Sequence, residues 1–103
     1  MPMAHSDALF DVLGLEQELY SDAITAAHKA KTTSGTLGHL AVAIEHGFTV
    51  IEHVSALRAV DAPRADELSE TWRSTLQDVI AAQCHVAEVR RAELDSTLQP
   101  PDP

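Results

Sequence analysis

Apolar residues recur at the three- and four-residue spacing of amphipathic helices, and three such runs cover nearly the whole chain. In the first, Leu9, Val12, Leu13, Leu19, Tyr20, Ala23, Ala27 and Ala30 share this period. Ser6 stands as an N-cap with Asp7 well placed against the helix dipole, and Lys29 and Lys31 favour the C-terminal end. Thr32-Thr33-Ser34-Gly35 reads as a break. The pattern therefore predicts a flexible lead-in over 1–5 and a helix over 6–32. Gly14 is the weak point at which a short leading helix can separate.

The second run starts from Ser34 or Thr36 as N-cap and predicts a helix over 36–60. Leu37, Leu40, Ala41, Ile44, Phe48, Ile51 and Val54 form a broad apolar face, which Val42, Val50 and Leu57 extend. Glu45, Thr49 and Glu52 are left as the polar edge, so this helix is expected to be buried on most of its circumference. Gly47 lies in the apolar arc, where it allows a neighbouring helix to approach closely.

Asp61-Ala62-Pro63 marks the next boundary, since proline is tolerated in a first helical turn. A third helix is predicted over 63–98, with a seam of Ala65, Leu68, Trp72, Leu76, Val79, Gln83, Val86, Arg90, Leu94 and Leu98. Residues 99–103, with three prolines, are expected as a disordered tail. The fold class is therefore all-α: a three-helix antiparallel bundle with a long third helix. That helix outruns the other two by about ten residues, or about 15 Å at 1.5 Å per residue. Covering its apolar end calls for oligomerisation, a homodimer or larger, through the second and third helices. The expected interface is Trp72, Leu76, Gln83, Val86, Arg90, Leu94 and Leu98.

Charge sharpens this picture. The 103 residues carry 7 Lys+Arg against 16 Asp+Glu, a formal net charge of −9. Residues 1–27 hold Asp7, Asp11, Glu16, Glu18 and Asp22 with no lysine or arginine. Residues 28–60 are close to neutral, and residues 61–103 are acidic again. Acidic outer helices around a neutral central one argue against nucleic acid or an anionic membrane, and favour a basic protein surface. The length suits one domain, and 45% hydrophobic residues are enough for a core despite only 4% aromatics. The single cysteine, Cys84, rules out an internal disulfide and suits a reducing, cytoplasmic setting. Residues 1–7 lack the basic start of a signal peptide, and no eighteen-residue uninterrupted apolar run suggests a membrane span.

Candidate chemistry centres on histidine. His39, His46 and His53 recur every seven residues, and two follow a glutamate, as Glu45-His46 and Glu52-His53. Seven-residue spacing stacks them on one side of the helix, drifting about 20° per step. Successive imidazoles lie about 10 Å apart along the axis, so one metal would need ligands from other helices. A turn near Ser34 and another near Ala62 would bring His28, His39 and His85 to one level, and Glu16 to the level of His53. Zinc or iron is the candidate metal, with His39, His46, His53, Glu52 and Glu16 as candidate ligands. Against this stand solvated histidines bonded to water or a carboxylate, and pH-dependent assembly through their protonation. No His-x-x-x-His, Glu-x-x-His or Cys-x-x-Cys spacing supports a metal.

The remaining polar residues on apolar faces read more simply. Gln83 and Arg90 set register in an oligomer core, and Glu16 is a buried charge that needs a partner. Trp72 is a core anchor or a partner hot spot. Cys84 and His85 diverge by about 100° on a helix, so they make no dyad within it. Binding rather than catalysis is the expected activity, through an adaptor, a neutraliser of a basic partner or a structural subunit. A metal-binding bundle is the alternative.

Overall fold

The computed structural model describes residues 2–98, and the expected tail at 99–103 lies outside them. The described chain is all-helical: α1 spans Pro2–Lys29, α2 Thr33–Leu57 and α3 Ala62–Leu98, with no strand among the described residues. Helix α1 begins ahead of Ser6, taking in most of the lead-in expected to be flexible, and runs unbroken through Gly14. A Cβ at Gly14 would meet nothing within 4 Å, so neither packing nor backbone geometry calls for glycine there.

The first connection is tighter than its sequence suggests. Thr32, not Ser34 or Thr36, caps α2: its extended backbone (φ −128°, ψ 152°) lets the hydroxyl accept from Gly35 N at 3.0 Å. Thr36 turns inward and donates from Oγ1 to the Thr32 carbonyl at 3.1 Å. At the second connection Asp61 caps α3, its Oδ1 accepting from Arg64 N at 3.2 Å. Pro63 sits in the first turn, where its missing N–H costs nothing.

Helix α2 lies between the other two. It packs on α1 and on α3, whereas α1 and α3 never bring Cα atoms within 8 Å of each other. Its buried stripe is Leu40, Ala43, Gly47, Val50, Val54 and Leu57, at helical spacing. Leu13, Ala23 and Ala27 cover it from α1, and Ala65, Trp72, Leu76 and Val79 from α3. One hydrophobic cluster gathers Leu13, Val50, Val54, Leu57, Ala65 and Trp72, and a second gathers Ala27, Leu40 and Val79. Tyr20 packs against both. Its ring meets Trp72 edge-on, with centroids 4.9 Å apart and planes at 83°. Such a pair adds about 1 kcal/mol to the burial of its rings.

Several expectations change here. One stripe of α2 is buried rather than most of its circumference, and Phe48, expected on the apolar face, is 56% exposed. Trp72 and Leu76, expected at an oligomer interface, are used inside the chain's own core. Helix α3, at 37 residues, is longer than the 25-residue α2 by a little more than the expected ten. Thr33 Oγ1 donates to Glu93 Oε1 at 2.7 Å, and beyond that contact α3 runs on through residues 94–98, about 7 Å of helix. An 18-residue window of α2 has mean hydropathy 1.2, apolar enough by length and composition to cross a membrane. A search for uninterrupted apolar runs misses it, and a helix packed between two others passes the same test.

At Gly47 the Leu76 side chain of α3 packs directly against the α2 backbone. A Cβ there would collide with Leu76 Cδ2 and lie 3.1 Å from Cγ. Alanine at Gly47 should destabilise the protein by about 1–2 kcal/mol, because overpacking outweighs the gain in helix propensity. Alanine at Gly14 or Gly38, which face open space, should stabilise it by about 0.5–1 kcal/mol. Urea unfolding followed by circular dichroism distinguishes the two signs.

Candidate functional site

The histidine stripe does not gather a metal site. Among the described residues no group of three or more His, Cys, Asp or Glu side chains is placed to hold a metal ion. His39 and Glu52 are exposed, His53 is half-buried, and His28 and His85 are exposed rather than layered with His39. What the structure does bring together is His46 and Glu16. His46 Nδ1 lies 2.7 Å from Glu16 Oε2, the geometry of an N–H donated to a carboxylate, with both side chains largely covered.

The partner of Glu16 is one heptad away from the His53 expected, for a geometric reason. The turn centres near residue 31, midway between the end of α1 at Lys29 and the start of α2 at Thr33, about three residues before Ser34. In a hairpin, that slides the facing residue by twice as much. The pair is a bridge between two helices and a register pin, rather than a ligand set.

Three surfaces remain along the helix edges. The first is a groove of about 390 Å³ between α1 and α3, floored by Leu40 and walled by Ile24, Ala27, Val79 and Val86, with Tyr20, His28 and Asp78 also lining it. Burial pushes the Tyr20 phenol above its ordinary value, and the charge of Asp78 adds to the shift. A polar depression beside it in size holds Arg58, Asp66, Glu70 and Arg73, with Arg58 Nη2 2.6 Å from Asp66 Oδ1. Both partners of that ion pair are mostly exposed, so it contributes little to stability.

The second surface lies along α2 and α3 on the side away from α1. Phe48 is 56% and Ile80 38% exposed there. Ile80, Ala87 and Leu94 follow at seven-residue intervals, with Leu98 one turn beyond. Burial along the α3 seam fades in step: Gln83, Val86 and Arg90 are half-buried, Leu94 is exposed, and Leu98 is 79% exposed.

The third surface lies along α1 and α2 on the side of the Glu16–His46 pair. Val12 and Leu19, expected in the core, are exposed, as is Leu15, which the apolar pattern of α1 did not single out. These three follow a three–four spacing displaced by one residue from Leu13, Glu16 and Tyr20. Two overlapping periods on one helix are a readable signal, but only after one is assigned to the core.

Compared with protein-family models, with curated proteins and with solved structures, the chain matches none.

Two results are expected. Glu16→Ala and His46→Ala should each cost about 1 kcal/mol, and the double variant no more than about 1.5 kcal/mol, as a shared interaction requires. A fully additive double-mutant cycle would contradict the pairing. The raised phenol favours neutral Tyr20 in the fold, so stability should hold below about pH 10 and fall as pH rises through the unfolded-state value. Tyr20→Phe should flatten that fall, as read from urea midpoints between neutral and alkaline pH.

Proposed function

We propose that this chain acts by protein–protein interaction, as an adaptor, a neutraliser of a basic partner or a structural subunit. In this reading it is an antiparallel three-helix bundle completed by self-association through α2 and α3. The observation that carries it is the α3 seam, whose apolar side chains continue past the point where α2 stops covering them. Phe48, Ile80, Leu94 and Leu98 form an exposed row over both helices. A second copy, meeting this row with its own, buries it by an isologous contact. Surface area supports the same reading: 7164 Å² is accessible, against about 5,700 Å² for a compact monomer of this mass.

Charge supports the basic partner. The acidic residues of α1 meet no lysine or arginine before Lys29, which favours approach of a positive surface. The exposed Cys84 thiol supports a reducing, cytoplasmic setting.

Light scattering at micromolar concentration should give a mass of about twice 11.1 kDa. The double variant L94S/L98S should return the protein to monomer with its helicity unchanged. A monomeric wild type would remove self-association from this reading.

A further inference from the structure

We propose that the face shared by α1 and α2 is a docking site for a basic amphipathic helix of another protein. This deepens the reading of the chain as a binder of a basic partner, and rests on it. Helix α1 carries two seams displaced by one residue. Leu13, Glu16, Tyr20, Ala23 and Ala27 face the rest of the chain, where all but Glu16 join the core and its margins. The second seam, Val12, Leu15 and Leu19, is 37%, 54% and 36% exposed. Ala8 extends it by one turn at the same spacing and is exposed too. A helix with one seam satisfied and a second open has the pattern of the middle helix of a larger bundle.

The pairing of Glu16 with His46 places α2 beside this second seam. Val42 lies one turn from His46 on α2, level with Leu19, and is 43% exposed. Val42 therefore flanks the Leu19 end of the α1 seam, with Glu45 and Thr49 following it on α2, so the shallow channel between the helices is apolar on its α1 side and bordered by the Glu16–His46 bridge. Along α1 the channel runs about 16 Å from Ala8 to Leu19, enough for three turns of a docked helix.

Charge selects the occupant. On the solvent side of the α1 wall stand Asp11, Glu18 and Asp22, and beyond Val42 on α2 stand Glu45 and Glu52, all exposed. Both rims are acidic, and the stretch of α1 that forms the channel carries no lysine or arginine. A second copy offering its own α1 would set carboxylates against carboxylates. A helix with apolar residues at three–four spacing, flanked by lysine or arginine, fits both the channel and its rims.

The probe is an 18-residue peptide of leucine and lysine with leucine at the heptad core positions, titrated into the 15N-labelled protein. One control peptide carries glutamate in place of lysine, and another has the same composition with the leucine period scrambled. The leucine–lysine peptide should bind, shifting amides over residues 8–26 of α1 and 42–49 of α2. The glutamate and scrambled peptides should bind at least about tenfold more weakly, and so should the leucine–lysine peptide to L15S/L19S. The variant L98S should bind it as the wild type does. Equal binding by L15S/L19S or by the scrambled peptide would overturn the proposal, as would shifts confined to the groove between α1 and α3. A fall in the wild-type mass caused by L15S/L19S would also overturn it, because a second copy would then be the occupant. L94S/L98S leaves the channel intact, so a failure of self-association through α3 is read separately.

Discussion

The packing of backbone on backbone in this fold passes through one stripe of α2. Because α1 and α3 do not meet backbone to backbone, Leu40, Ala43, Gly47, Val50, Val54 and Leu57 must supply the floor for both. Small residues at Ala43 and Gly47 narrow the middle of the stripe, and the side chain of Leu76 fills the space opened at Gly47. A core with so few aromatics concentrates them at one crossing. Tyr20 and Trp72 reach over α2 and tie the outer helices ring to ring. The cost of this arrangement is surface: helices held in a bent row, rather than a closed triangle, leave apolar edges outside.

Polar groups follow the same economy. Among the described residues, buried side-chain nitrogens and oxygens all have partners. The Glu16–His46 bridge is the polar contact that links α1 to α2 in mid-helix. On a helix with two apolar seams, hydrophobicity alone does not decide which one turns inward. A carboxylate in the inner seam, matched to one imidazole on α2, fixes that choice. At the helix ends, Thr32 and Asp61 do the equivalent work for the backbone by capping the first turns of α2 and α3.

Most of the helical content was legible from periodicity, and the position of Gly47 in a close contact was readable from its place in the apolar arc. The register was not. Thr32, Thr33, Ser34 and Thr36 all have capping side chains, and choosing among them moves the α1 partner by up to a full heptad. That ambiguity put Glu16 level with His53 rather than His46 and suggested a histidine layer that the fold does not form. The open seam of α1 was hidden for a related reason. Val12 and Leu19 have the composition of core residues, and only the position of α2 shows which of two adjacent stripes is covered. Trp72 illustrates the opposite case: its size pointed both inward and outward, and the edge of Tyr20 was available to receive it.

The order of the helices also shapes how the chain can assemble. Contacts join α1 to α2 and α2 to α3, neighbours in sequence linked by connections of a few residues. Such a topology has low contact order, and chains of this kind collapse on microsecond to millisecond timescales. Either hairpin can form first, since neither needs the other's loop to close. The Tyr20–Trp72 contact is different, because it spans both connections at once. It can close only when the two hairpins share the same α2, which makes that ring pair a reporter of the complete fold rather than of either half.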